Sequence, residues 1–285
     1  MSNTASTLLR EWLGRRTNAP ALAWFDAQLA LCHSLGHDAE FEMTWGLIPR
    51  RMGKASLALT AADVALATQA VQGWNPEHWS VNDAARIVLL SGMPGSGKPF
   101  ATRFRSLCQT ADAAELVTLY RGLPLYPDAS ALLDTVGDGL RSNMRDVFEA
   151  IVHHNPFPQL HFDEHRWNHM VVKALFVGSA LAPIEGLDER ANPELARIIC
   201  DFAQERRAAG RPMPHEMWRC VGPFASGSAL DLLEAVLETG TPIEKRAAAL
   251  ALAACPDTRA VRRLAAAADQ HSEISAGRLT WATLQ

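Results

Sequence analysis

The chain has 285 residues, of which 48% are hydrophobic and 20% charged, and its formal net charge at neutral pH is −4. Such a composition is typical of a globular protein with a full hydrophobic core. A weak net negative charge does not attract the phosphate backbone of nucleic acid, so we expect no nucleic-acid partner.

The cysteines and the apolar runs indicate the cellular compartment of the protein. The five cysteines are odd in number and scattered, without a C-x-x-C pair, which indicates reduced thiols in a cytoplasmic protein. The first residues lack the pattern of a signal peptide. No apolar run approaches the ~20 residues that a spanning helix needs, so we expect a cytoplasmic protein that does not span the membrane.

Helical periodicity marks the N-terminal part of the chain, residues 1–79. Apolar residues recur at intervals of three and four in Thr7–Arg16 and in Ala21–Leu35. Trp74 and Trp79 follow, and their large apolar surface favours a packing role between helices over a role in binding.

The segment Gly92–Lys98 fits the G-x-x-x-x-G-K spacing of a phosphate-binding loop. Pro99 stands where that motif needs a hydroxyl for Mg²⁺, and a proline also removes a backbone amide. Ser80–Asp83 has the pattern of a capping box, which opens a helix and not a strand. We therefore predict a helix over Ser80–Leu90, an ordinary turn over Gly92–Pro99, and no nucleotide site.

Two stretches, Asp83–Asp112 and Lys245–Asp269, echo one another. Each reads as a short helix, a turn and a second helix that ends in Ala-Asp. Degenerate helix pairs of this kind stack as HEAT-like repeats. The sequence therefore predicts an all-α fold, a HEAT-like helical-repeat solenoid of stacked antiparallel helix pairs that is irregular in its centre. We expect one all-helical domain over 1–285, with N-terminal helices in 1–79, central helices in 80–223 and C-terminal HEAT-like pairs in 224–285.

Three helical patterns with polar residues in their turns occupy the centre. The first runs from Leu140 to Ile151 with apolar residues at helical spacing. The second extends from a predicted N-cap at Asp163 to Gly178. The third begins at Asn192, is followed by a proline at its first position, and ends at Gly210.

The centre also carries long and specific motifs, in Arg141–Met144, Asn155–Pro156, Trp167–Gly178, Gly186–Pro193 and Trp218–Pro223. In these motifs the sequence resembles the EboA-domain family, and looser similarity covers most of the chain. The resemblance implies a protein of the bacterial ebo gene cluster, whose neighbours include a membrane prenyltransferase and enzymes similar to sugar isomerases, cyclitol synthases and phosphoesterases. That cluster is implicated in making or exporting a secondary metabolite. The resemblance thus implies a setting and no reaction.

Histidines in the central helices have the spacing of metal ligands. His165 and His169 lie one turn apart on one helix face, as in metal-binding helices. Lys173 extends the same stripe, however, and an ammonium beside a metal cation is unfavourable. We therefore predict an exposed or partly packed histidine stripe, with no metal and no cofactor. His153 and His154 are expected at a helix C-terminus, where they interact with its dipole.

Polar residues in the recognised motifs form the candidate ligand site. One interpretation is structural, because buried Asn and Asp side chains commonly satisfy backbone groups at turns, with Asp188 and Arg190 as one ion pair. The other is a groove in which Lys173, Arg190, Arg211 and Arg219 face an anionic ligand. The candidate ligand-binding residues are Asn143, Asn155, Asn168, Lys173, Asp188, Arg190, Asn192, Arg211 and Arg219.

Two functions remain open from the sequence. The first is a non-catalytic helical-repeat protein that binds other proteins of the ebo cluster or a small anionic metabolic intermediate. The second is an enzyme of that pathway acting on a phosphorylated, prenylated or cyclitol-like molecule, with Lys173 and Asp188 as acid/base candidates. The lack of a recognisable nucleophile–base or metal signature in the sequence favours the first. Nucleotide hydrolysis at Gly92–Lys98 is the weakest hypothesis.

Overall fold

A computed structural model describes residues 3–35, 38–93 and 98–284. Within these ranges every regular element is helical, and an isolated β-bridge joins Ser56 to Ser80. The predicted all-α fold is therefore confirmed. No helix of the described ranges is long and apolar enough to cross a membrane.

The chain divides into two compact units, Met1–Phe162 and Asp163–Gln285. The HEAT-like solenoid and the single domain over 1–285 stay predictions. The N-terminal unit contains α1 (Asn3–Arg16), α2 (Ala19–Leu35), α3 (Asp38–Arg51), α4 (Ala61–Ala70), α5 (Val81–Gly92), α6 (Lys98–Thr110), α7 (Ala113–Arg121), α8 (Ala129–Leu140), α9 (Arg145–Val152) and α10 (Phe157–His161).

Helix α5 is the centre of the N-terminal unit, because α1, α2, α3 and α7 all pack against it. Every residue from Val81 to Leu90 is buried. Before it, Trp74 lies between Trp12 and Trp79, with ring centroids 5.8 and 5.7 Å away. The predicted packing role of the tryptophans is thus confirmed.

The predicted capping box opens α5, since Ser80 and Asp83 each accept a hydrogen bond from the other's backbone amide. The helix predicted over Ser80–Leu90 is confirmed. The turn predicted over Gly92–Pro99 is too long, because α5 includes Gly92 and α6 already includes Pro99, which a first helical turn tolerates. Residues 94–97 of that turn lie outside the described residues.

The single helix predicted from Leu140 to Ile151 is wrong, because α8 ends at Leu140 and α9 begins at Arg145. Gly137 and Gly139 weaken the end of α8. Beyond it, the Ser142 hydroxyl accepts a hydrogen bond from the amide of Met144 (3.1 Å), a local bond that competes with helix continuation.

The C-terminal unit begins with α11 (Glu164–Val177) and α12 (Pro193–Ala208). The predicted N-caps, Asp163 and Asn192, accept hydrogen bonds from Arg166 and Leu195. Gly178 has a left-handed backbone (φ 69°), which favours glycine. The remaining helices are α13 (Trp218–Val221), α14 (Gly227–Thr239), α15 (Pro242–Ala254), α16 (Thr258–Ala266) and α17 (Ala268–Ser275).

The second predicted helix pair is confirmed for its first helix, α15, which Thr241 and Glu244 open with a capping box. Its second helix was predicted to continue to Asp269. In the structure α16 ends at Ala266, because the backbone at Ala267 is non-helical (φ −91°, ψ 65°), and α17 starts anew at Ala268.

Candidate functional site

Helices α5, α7 and α9 of the N-terminal unit line a cavity of about 720 Å³. Helix α7 contributes Ala114, Val117, Thr118 and Arg121, which are spaced by three and four positions and therefore share one face. Helix α9 contributes its own face in the same way, from Asp146 to His153. The lining is rich in charged and amide side chains, which is unusual so close to a buried helix.

Two ion pairs fix the direction of α7 against α5. At the start of α5, Asp83 accepts a hydrogen bond from Arg121 in the last turn of α7 (3.0 Å). One turn further along α5, Arg86 donates to Glu115 in the first turn of α7 (2.8 Å). The two helices are therefore antiparallel along the cavity.

Asp83 is fully engaged by the protein. Its carboxylate also accepts hydrogen bonds from the amide and hydroxyl of Ser80 (both 2.8 Å) and from the hydroxyl of Thr118 (2.5 Å). Both hydroxyls are thus committed to Asp83, which makes this cluster a support for the cavity wall.

Arg86 is another supporting residue, only 5% exposed. Its guanidinium lies over the ring of Trp45 (4.7 Å), donates to the Trp45 carbonyl, and pairs with Glu115. Burial lowers the pKa of Arg86, an effect that the nearby carboxylates oppose.

Asn82 is different, because its side chain lines the cavity and lacks a partner. The residue is 8% exposed, and its Oδ1 makes no hydrogen bond with any described residue. Other buried polar atoms without a hydrogen bond among the described residues, such as the indole nitrogens of Trp74, Trp167 and Trp218, belong to residues outside the cavity lining. A half-turn of the amide exchanges its oxygen and nitrogen, so Asn82 can accept from a ligand or donate to it.

Imidazoles gather at the end of the cavity where α9 ends. His153 is the C-cap of α9, so the predicted position of the histidine pair at a helix C-terminus is confirmed. The ring of His154 lies 5.4 Å from that of His78, and its Nδ1 is 3.5 Å from the Asn75 amide nitrogen. Burial lowers the pKa of His154, and the neighbouring His78 and His153 lower it further.

Of the candidate residues predicted from the sequence, two lie in the N-terminal unit. Asn143 is exposed in the turn between α8 and α9. Asn155 is buried beside the cavity, where its amide donates to the carbonyls of Tyr120 and Ala150 (both 3.1 Å) and accepts from the amide of Phe157 (3.0 Å). Asn155 therefore holds backbone groups, as the structural interpretation expects.

The other seven candidates lie in the C-terminal unit, and three of them form one structural group. Asn168 and Asn192 exchange two amide hydrogen bonds (3.2 and 2.8 Å). Asn192 also caps α12 and donates to the Arg190 carbonyl (3.1 Å). The Arg190 guanidinium carbon lies 4.6 Å from the centroid of the Trp167 ring, and burial lowers the pKa of Arg190.

A second group contains Asp188 and Arg219. Asp188 is held by Arg219, whose Nε and Nη2 donate to the two carboxylate oxygens (2.5 and 2.6 Å). This bond raises the pKa of Arg219. Lys173 is half-buried, and burial lowers its pKa, whereas Arg211 is exposed. A common groove for these residues stays a prediction.

The histidines of α11 follow the predicted stripe. His165 and His169 are exposed, with ring centroids 4.3 Å apart. Across the described ranges, no group of three or more His, Cys, Asp or Glu side chains could hold a metal ion.

Sequence reasoning missed the main cavity residues Lys54, Asn82 and Arg121. One signal was present: Asn82, Asp83 and Arg86 interrupt an otherwise apolar helix that the structure buries on all sides. Polar residues on a fully buried helix need partners, and the search for those partners leads to this cavity.

Comparison with known proteins gives one match. A family model described as "Metabolite traffic protein EboA" matches residues 5–222, which include the three cavity helices and the polar turns of the C-terminal unit. No curated protein and no solved structure matches the chain.

Proposed function

This chain belongs to the EboA family, and from that premise we propose that it binds a small polar metabolite in the cavity of α5, α7 and α9 and carries it between proteins. A traffic protein needs a site that holds its cargo without changing it. The volume of about 720 Å³ lies within the range of small-molecule sites.

The observation that carries this proposal is the buried amide of Asn82. A polar atom that is buried without a partner costs about 1–3 kcal/mol, so folded proteins seldom keep one in their interior. A metabolite hydroxyl or amine in the cavity would supply the missing hydrogen bond. The unsatisfied amide is therefore explained if the cavity is completed by its ligand.

Binding is favoured over catalysis by the state of the hydroxyl groups. Ser80 and Thr118 both line the cavity, and both donate to Asp83. Ser80 donates within the capping box of α5 and Thr118 donates from α7, so both hydroxyls are held in place for structure. The enzyme hypothesis placed its acid/base pair at Lys173 and Asp188, but Asp188 is bound by Arg219.

A carrier must also pass its cargo on. The expected partners are other proteins of the ebo cluster, as the family resemblance implies. A small anionic intermediate is the other partner expected from the sequence, and the cavity of the N-terminal unit offers it a more complete site than the polar turns of the C-terminal unit.

The test is capture of metabolites by the full-length protein. Purified protein is incubated with a metabolite extract from cells that lack it, recovered by gel filtration and analysed by mass spectrometry for retained and consumed compounds. We expect a retained compound and no consumed one. Asn82→Leu should lose the compound, because the amide is gone while the side-chain volume is nearly kept.

Asn168→Leu is the matched control, since it makes the same change at a buried asparagine of the C-terminal unit. This variant should retain the compound as far as it is folded. Equal retention by Asn82→Leu and the wild type, or no retention by either, would contradict the proposal. Consumption of a compound would favour the enzyme.

A further inference from the structure

The charges of the cavity are separated along its length, and this deepens the proposed function on which the inference rests. Helix α7 has Asp112 at its N-cap and Arg121 in its last turn. Helix α9 has Asp146 in its first turn and His153 at its end. Each helix thus places a carboxylate at its start and a basic side chain at its finish.

Contacts bring the basic residues together at the start of α5. Arg121 reaches Asp83 there. Lys54 precedes Ala55, whose carbonyl accepts a hydrogen bond from the amide of Val81 (2.8 Å), so Lys54 lies beside the same helix start. The end of α9 is adjacent, because Asn155 donates to the carbonyl of Tyr120, next to Arg121.

Several donors at this end have no acceptor among the described residues. Arg121 uses only Nη1 for Asp83, and its Nε and Nη2 make no hydrogen bond with the described residues. The Lys54 ammonium likewise has no ion pair or hydrogen bond among the described residues. The start of α5, a helix of 12 residues, adds the positive end of its dipole.

The other end of the cavity has the opposite character. Asp112 accepts one hydrogen bond, from the amide of Glu115, and Asp146 accepts none from the described residues. Arg86 also lines the cavity, but its charge is paired with Glu115 and it donates to the Trp45 carbonyl. An anionic group beside Asp112 and Asp146 would therefore be repelled, whereas hydroxyl or amino groups would be accepted as donors.

We propose that the ligand is a hydroxylated metabolite with one anionic group, a carboxylate or a phosphate. The anionic group binds Lys54 and Arg121, a neighbouring hydroxyl pairs with Asn82, and further hydroxyl or amino groups face Asp112 and Asp146. A polyanion such as a nucleoside triphosphate does not fit, because its charges would extend to the acidic end.

Lys54→Met gives a direct test in the full-length protein. Lys54 is exposed and has no partner among the described residues, so its loss should leave the melting temperature of the free protein unchanged. Retention of the extract metabolite should fall about tenfold, because a hydrogen bond to a charged group contributes that much. Arg262→Gln removes an exposed positive charge of the C-terminal unit and should retain the metabolite as the wild type does.

The class of the anion is found by treating the extract before capture. The retained compound should bind an anion exchanger at neutral pH and should be released by added inorganic phosphate. Treatment with alkaline phosphatase should abolish capture of a phosphate ester and leave capture of a carboxylate intact.

The outcomes separate this inference from the proposed function. Retention of a neutral, cationic or polyanionic compound, or equal retention by Lys54→Met and Arg262→Gln, overturns the ligand class and leaves the binding function standing. If the wild type retains nothing, both proposals fail.

Discussion

Two polar regions of the molecule contain buried asparagines, and they use them differently. In the C-terminal unit Asn168 is 3% exposed and exchanges two hydrogen bonds with Asn192. In the N-terminal unit Asn82 is 8% exposed, and its Oδ1 has no partner among the described residues. A polar residue whose partners are present stabilises a turn, whereas one whose partner is missing points to a ligand.

The largest effect is expected at Asp83, which supports the cavity without being available to a ligand. Asp83→Ala removes a capping box and leaves the half-buried Arg121 without its carboxylate. The lost cap should cost about 1 kcal/mol and the lost hydrogen bonds to the charged groups about 2 kcal/mol more of the free energy of unfolding. Urea unfolding followed by circular dichroism measures it.

Thr241→Ala is the control for that variant, because it removes an exposed capping box in the C-terminal unit. Its cost should be about 1 kcal/mol. If Asp83→Ala cost no more than this, the cavity wall would not depend on Asp83, and the distinction between supporting and ligand-directed residues would weaken.

An intermediate effect is expected at Asn168. Asn168→Leu removes two amide hydrogen bonds from a buried pair, which should cost about 2 kcal/mol at about 1 kcal/mol for each bond. Thermal unfolding gives the change. A variant as stable as the wild type would show that the Asn168–Asn192 pair is not structural, and the C-terminal region would again be a candidate site.

The smallest effect is expected at Asp188. Asp188→Asn weakens its pairing with Arg219, and because Asp188 is 53% exposed the loss should stay below about 1 kcal/mol. The variant should retain extract metabolites as the wild type does. Loss of retention with stability intact would restore the anionic groove that the sequence predicted there.

The sequence predicted the parts of the fold that depend on neighbouring residues. Ser80 with Asp83, and Thr241 with Glu244, open helices as expected because a capping box acts within four residues. The prediction of one helix over Leu140–Ile151 was wrong because of another local interaction. Its apolar spacing continues across Ser142, whose side-chain hydrogen bond ends the helix pattern without changing the periodicity.

The candidate site could not be predicted in the same way, because its residues are distant in the chain. Arg121 and Asp83 are 38 residues apart in the sequence. Lys54 lies beside α5 because the neighbouring Ala55 carbonyl accepts a hydrogen bond from the amide of Val81. Asn82 lies inside the Ser80–Asp83 pattern, so its polarity was accounted for by the helix cap. The polar turns of the C-terminal unit drew attention instead, although their side chains satisfy one another.

The most direct test of this account is the melting temperature of Asn82→Leu, measured with and without the metabolite that the wild type retains. If Asn82 serves the ligand, the free variant should melt at the same temperature as the wild type or up to about 2–4 °C higher, since a costly unsatisfied atom is removed. The metabolite at about 100 times its dissociation constant should stabilise the wild type by about 2.7 kcal/mol and the variant hardly at all. A free variant that melts well below the wild type and keeps its ligand-induced shift would contradict the account and make Asn82 a structural residue.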